Sequence, residues 1–116
     1  MNSFKQLKIW QRSVEIVKQV YLLTKRFPKE ELYGLTAQMR RSAISIPSNI
    51  AEGFKRYHDK EYKQFLHIAL GSAAELETQL VIAQELSYIS KSDLEEFAQA
   101  REQIGKMTSS LIGKLK

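Results

Sequence analysis

The sequence predicts an all-α protein, an antiparallel up-down-up-down four-helix bundle formed by one domain over residues 1–116. Three observations carry the prediction. Apolar residues recur at three- and four-residue steps along four segments. Short stretches with proline, glycine or a capping residue separate them. No alternating strand pattern, repeat or low-complexity tract competes. At 116 residues the chain is long enough to bury a core and short enough to gain from self-association.

The first helix is expected over residues 4–26, capped by Ser3 with Gln6, with Leu7, Trp10, Val14, Val17 and Tyr21 on its core face. "FPKEELYGL" breaks it, because Pro28 lacks an N–H and Gly34 is flexible, leaving a connection with one short turn. Leu35, Met39, Ala43, Ile46, Ile50 and Phe54 mark the second helix, with Thr36 as its cap and Gly53 near its end. Pro47 lies inside it and predicts a local irregularity, since its ring crowds the carbonyl of Ala43. After "KRYHD", Asp59 is the expected cap of a third helix of about 45 Å carrying Phe65, Ala69, Ser72, Leu76, Leu80, Ala83 and Leu86. Ser92 with Glu95 reads as the box opening the fourth, whose face is Phe97, Ala100, Ile104, Met107, Leu111 and Leu115. Small residues cluster around Pro47 and in "ALGSAAEL", so these segments are expected to face each other, with Gly71 kept for close packing; alternatively one of them faces another subunit.

Composition removes several function classes. There is no cysteine, so disulfides, thiolate zinc sites and cysteine nucleophiles are excluded. The N-terminal "MNSFKQLKIW" lacks the apolar run of a secretory signal, and no stretch approaches the roughly 20 apolar residues of a membrane span. A cytoplasmic protein with no membrane association is the expectation. Neither His58 nor His67 has a second histidine or a helical Glu-x-x-His spacing to support a metal, and no phosphate-loop spacing or paired nucleophile and base is present. No enzyme class, cofactor or metal is predicted.

Charge leaves a polyanionic partner open. The net charge is +5, and it is uneven: residues 1–58 hold eleven basic and four acidic side chains, residues 59–116 seven and nine. Such asymmetry marks an anion-binding half or the attraction between neighbouring helices. On the second helix, Arg41, Ser45, Ser48 and Glu52 fall at steps of four, three and four, with Asn49 at the edge of the stripe. In the packing reading Arg41 is at least partly buried and pairs with Glu75, or else Glu52, while Asn49 and the serines satisfy backbone groups freed by Pro47. In the binding reading the stripe, extended by Lys55 and Arg56, takes phosphates. A glutamate inside the stripe favours packing.

"LKIWQRSVEIV", "FPKEELYGLTAQMRRSAISIPSNIAEG" and "FLHIALGSAAELETQL", in this order and spacing, resemble the four-helix-bundle family of proteins encoded by intervening sequences in bacterial 23S rRNA genes. The likeness covers nearly the whole chain. It implies a small bacterial helical protein that assembles as a homopentamer, with no established enzymatic activity. Accessory proteins of diversity-generating retroelements, which are associated with nucleic acid and a reverse transcriptase, are similar in fold. The shared motif is largely a packing motif and carries no activity with it.

Two functions from different classes follow. One is a nucleic-acid module, for structured RNA, in which a ring of subunits multiplies a basic surface from Lys5, Lys8, Arg12 and Lys18 with Arg40, Arg41, Lys55 and Arg56; no RNA-binding motif or exposed aromatic platform is evident to support it. The other is a scaffold or protein–protein interaction module that binds a protein partner and no nucleic acid. Both use a closed homo-oligomer. A second apolar series on the first helix, Ile9, Ile16, Val20, Leu23 and Phe27, and a surplus on the third through Ile68, Ile82 and Ile89, are the expected subunit interface. The number five comes from the family resemblance alone.

Overall fold

In the computed structural model, which describes residues 3–116, the chain forms α1 (Lys8–Thr24), α2 (Leu35–Phe54), α3 (Asp59–Glu85) and α4 (Lys91–Lys114), with single 3-10 turns at Phe4–Gln6 and Lys29–Glu31. Each helix packs on two neighbours in the order α1, α2, α3, α4 and back to α1, α2 lying closest to α3. This is the antiparallel bundle, all-α, with no strand among the described residues. At 1.5 Å per residue the 27 residues of α3 set the 44 Å long axis.

The start of α1 differs from expectation. Ser3 caps the 3-10 turn, its Oγ accepting from the Lys5 N–H at 3.1 Å, and an extended Leu7 (ψ 128°) separates that turn from α1. The core face of α1 also differs. It runs Ile9, Ser13, Ile16, Val20, Thr24 and on to Phe27, all buried, whereas Leu7, Trp10, Val14, Val17 and Tyr21 are half-exposed. Two hydroxyls interrupt the apolar series, yet burying them costs little because each bonds its own helix: Ser13 Oγ donates to the Trp10 carbonyl at 2.8 Å and Thr24 Oγ1 to the Val20 carbonyl at 2.7 Å. Ile9, Ile16, Val20 and Phe27, expected between subunits, therefore belong to the chain's own core, as does Ile89.

The α2–α3 seam is built from small residues. Ser42, Ala43, Ala69, Ala73 and Ala83 are buried there, and the two small-residue segments do face each other: Ser45 and Ser72 share a hydrogen bond of 2.8 Å, and Ser42 Oγ donates to a Glu75 carboxylate oxygen. Arg41 is exposed, and its side chain has no ion pair or hydrogen bond among the described residues. One step along a helix turns the side chain by about 100°, so the residue that reaches Glu75 is Ser42, and Glu52 is taken by Arg56 at 2.9 Å. Asn49 Nδ2 donates to the Ser45 carbonyl at 2.7 Å, not to the Ala43 carbonyl that Pro47 cannot bond, and α2 continues through the proline.

The glycine kept for contact is Gly53, not Gly71. A Cβ on Gly53 would lie 2.8 Å from Phe65 Cβ and 3.0 Å from Tyr62 Cδ1, while one on exposed Gly71 would meet nothing within 4 Å. Gly53 has a negative φ inside α2, so its role is approach, not chain reversal.

Three other caps are shifted from their expected residues. Gly34, not Thr36, precedes α2, and Glu31 takes over the capping: its Oε1 accepts from the Leu35 N–H at 3.1 Å and its Oε2 from the Tyr88 hydroxyl at 2.9 Å. That bond to a carboxylate, with lesser contributions from burial and the charges of Glu31 and Glu30, raises the Tyr88 phenol above its usual range. His58 precedes α3, and Asp59 instead accepts from the Lys116 N–H at 3.0 Å. Ser90 with Asp93, two residues ahead of the expected pair, forms the box that opens α4, each accepting from the other's backbone at 3.0 Å. Asp93 also meets Arg26 at 3.3 Å, a tie to the segment just after α1 that Glu95 does not make.

Candidate nucleic-acid interface

The two ends of the bundle differ in charge. One end gathers the start of α1, the α2–α3 connection and the C-terminus. Lys55 Nζ stands 5.5 Å from the centre of the Phe4 ring, Lys116 N–H reaches Asp59, and a groove between α1 and α4 is lined by Leu7, Lys8, Ile9, Lys106, Leu111 and Lys114. Here Lys5, Lys8, Lys60 and Lys114 are exposed and their ammonium groups have no ion-pair or hydrogen-bond partner among the described residues. Acidic groups are fewer at this end: Glu52 is paired with Arg56, Asp59 is bonded to Lys116 N–H, and Glu61 is half-buried. The first turn of α1 carries no acidic residue and its N-cap Leu7 makes no side-chain capping bond, so the positive end of the helix dipole adds to Lys8. At the opposite end, Arg26 is paired with Asp93, and Glu30 and Glu31 stand next to Lys29.

The structure brings together four of the eight cations expected in a nucleic-acid surface: Lys5, Lys8, Lys55 and Arg56. Arg56 is partly neutralised, held by Glu52 and lying 4.8 Å over the Phe65 ring. Arg12 is tied to α4, donating to Gln103 Oε1 at 2.9 Å, and Lys18 is paired with Glu15 at 3.4 Å, ten residues or about 15 Å along α1 from Lys8. Arg40 lies in the opposite half. Its guanidinium covers the Tyr21 ring at 4.5 Å and its Nε donates to Thr24 Oγ1 at 2.9 Å, so it closes the α1–α2 seam. Arg41 stands apart on the outer face of α2.

In the polar stripe, Ser45 and Asn49 are half-buried with the bonds given above, while Ser48 and Glu52 are exposed. Of the residues expected between subunits, Ile68 and Ile82 are exposed and Leu23 is half-buried. The sequence reading missed Ile44 and Val81, which are exposed as well, and Leu86, expected on the core face of the third helix, is exposed because it lies just past the end of α3, where the chain turns away. It also missed the aromatic group of the basic end. Tyr57, in the α2–α3 connection, is 99% exposed, and its signal in the sequence was its setting in "KRYHDK".

The described residues hold no group of three or more His, Asp or Glu side chains suited to a metal, and none of their helices is long and apolar enough to cross a membrane.

Comparison with known proteins relates the chain to one family model and to solved structures. Residues 5–110 match the family model described as 23S rRNA-intervening sequence protein. Among solved structures, the chain is similar to a protein of unknown function from the S23 ribosomal protein family of Bacteroides thetaiotaomicron VPI-5482, with a TM-score of 0.83 and 26% identity over 91% of this chain and 96% of that one. Neither description names an enzymatic activity. No curated protein matches the chain.

Proposed function

The chain belongs to the 23S rRNA-intervening sequence protein family, and we propose that it is a non-enzymatic, closed homo-oligomer that binds RNA through the basic end of each bundle. The observation that carries the reading is the set of ammonium groups at that end without ion-pair or hydrogen-bond partners among the described residues, those of Lys5, Lys8, Lys60 and Lys114. A bundle needing charge only for solubility gains nothing from placing its lysines together, because like charges repel. Phosphates relieve that repulsion and release counterions when they bind.

Apolar side chains left in solvent support self-association. Ile68, Val81 and Ile82 on α3 and Leu86 just after it are each at least 41% exposed, and Ile44 on α2 is 43% exposed. These replace the buried residues of α1 in the proposed interface. Five subunits is the number the family resemblance implies. A ring would repeat the basic end around one axis and multiply a modest affinity for a long polyanion.

Light scattering at micromolar protomer concentration tests the assembly: a pentamer mass is expected, a dimer or trimer removes only the number five, and one-chain mass refutes the oligomer. For RNA, affinity is expected to fall steeply with salt, and the double variant Lys5→Glu with Lys8→Glu is expected to weaken binding for all sequences alike and to reduce the salt slope. Unchanged affinity in that variant removes the basic end from the site. No binding of the unaltered protein to any RNA at low salt refutes the reading and leaves the scaffold for a protein partner.

A further inference from the structure

Tyr57 is the one aromatic side chain at the basic end with no part in the fold. Phe4 stacks edge-on against Trp10 with ring centres 5.3 Å apart, Phe54 against Tyr62 at 6.3 Å, and Phe65 lies beneath Arg56. Tyr57, at 99% exposure, is supported by nothing and supports nothing. The backbone that carries the ring is nevertheless held on both sides. Gly53 locks the end of α2 onto Phe65 and Tyr62, Arg56 is tied to Glu52, and α3 begins only two residues later, at Asp59. The ring is flanked in sequence by Lys55, Arg56, His58 and Lys60, and the one acid among them, Asp59, accepts from the Lys116 N–H. Tyr33, exposed to 92% at the other end, follows Glu30, Glu31 and Leu32, where the charge repels phosphate.

A flat aromatic face free of protein contacts and set among cations is the minimal platform for an unpaired base. The ring takes the base by stacking, and the cations take the phosphates on either side. A duplex offers no such face, because its bases are already stacked. Resting on the RNA reading given above, we infer that the basic end recognises single-stranded rather than double-stranded RNA, with Tyr57 stacking on one base and Lys55, Lys60 and Lys8 meeting its flanking phosphates.

The test compares unaltered protein, Tyr57→Ala and Tyr57→Phe by fluorescence anisotropy. The probes are a single-stranded oligouridine of about 12 nucleotides and an RNA duplex of the same length. Stacking on one base predicts that Tyr57→Ala weakens single-strand binding by about 5- to 150-fold with the salt slope unchanged, while Tyr57→Phe, which keeps the ring, stays close to the unaltered protein. The duplex is expected to bind more weakly than the single strand and to be indifferent to either substitution. Equal single-strand affinity of all three proteins, with steep salt dependence retained, overturns the stacking inference and leaves RNA binding by charge standing. No binding of the unaltered protein overturns both. A lower mass of Tyr57→Ala in light scattering overturns the inference too, assigning the ring to a contact between subunits.

Discussion

Replacing Gly53 by alanine tests whether the α2–α3 seam owes its closeness to a missing side chain. The added Cβ would lie 2.8 Å from Phe65 Cβ and 3.3 Å from the Tyr62 backbone carbonyl, both atoms near the rigid frame of α3. Neither moves aside by a side-chain rotation, so α3 must shift. Overpacking of this kind costs roughly 1–3 kcal/mol, and the helix preference of alanine returns at most about 1 kcal/mol near a helix end. A net loss of about 1–2 kcal/mol is expected. Gly71→Ala, on the exposed side of α3 with nothing within 4 Å, supplies the opposite sign: a gain of roughly 0.5–1 kcal/mol from the same chemical change. The two variants then differ by about 2 kcal/mol, or roughly 8 °C in Tm for a chain of this size. Urea unfolding and thermal melts at fixed protomer concentration measure this, since association makes the midpoint concentration-dependent. Equal stability of the two variants refutes the close-approach argument.

Ser87 sits at a φ of 63° just after α3, its N–H reaching the Gln84 carbonyl and that of Tyr88 the Ala83 carbonyl, which is the Schellman closure that glycine adopts without strain. Ser87→Gly is expected to stabilise by about 0.5–1 kcal/mol in urea unfolding, and a loss would show that the serine side chain has a role there. Asp93 carries a carboxyl lowered below its usual value, chiefly by the Ser90 N–H and also by the Ser90 hydroxyl and Arg26. A lowered folded pKa contributes stability that is present above the unfolded value and lost as pH falls through the folded one. The urea midpoint of the unaltered protein is thus expected to drop more than that of Asp93→Asn on going from pH 6 to pH 3, and parallel curves would refute the contribution.

The helices were legible because four apolar periodicities left no competing pattern. What failed was the choice of face on α1, where two apolar series ran side by side. The buried one passed through Ser13 and Thr24, and their hydroxyls are satisfied inside their own helix, a fact that polarity along a sequence conceals. Arg41 failed for a related reason: periodicity fixes a stripe only to within one residue of rotation, and that residue decides between Arg41 and Ser42 as the partner of Glu75. At α4 two overlapping Ser-x-x-acid pairs were available, and the contact of Asp93 with Arg26, a tertiary one, goes with the earlier. The basic end was only half legible. Lys5, Lys8, Lys55 and Arg56 were expected together, but that Lys60, Lys114 and a bare Tyr57 join them follows from how the chain ends and connections meet.

The same seam that holds the bundle together also bears on recognition. A side chain on a loose loop loses conformational freedom when it binds, at a cost of about 0.5–1.5 kcal/mol for each residue immobilised. Tyr57 escapes part of that cost, because the connection bearing it leaves α2 immediately after the close contact of Gly53 with Phe65 and enters α3 at Asp59, itself bonded to the last residue of the chain. Gly53 therefore acts twice, once on stability and once on the placing of Tyr57. In Gly53→Ala the shift of α3 moves the platform as well as the core, so single-strand affinity is expected to fall with stability even at temperatures where the variant is fully folded. Gly71→Ala, which changes stability without touching the connection, leaves affinity alone. If affinity follows stability equally in both variants, the placing argument fails and Gly53 serves packing only.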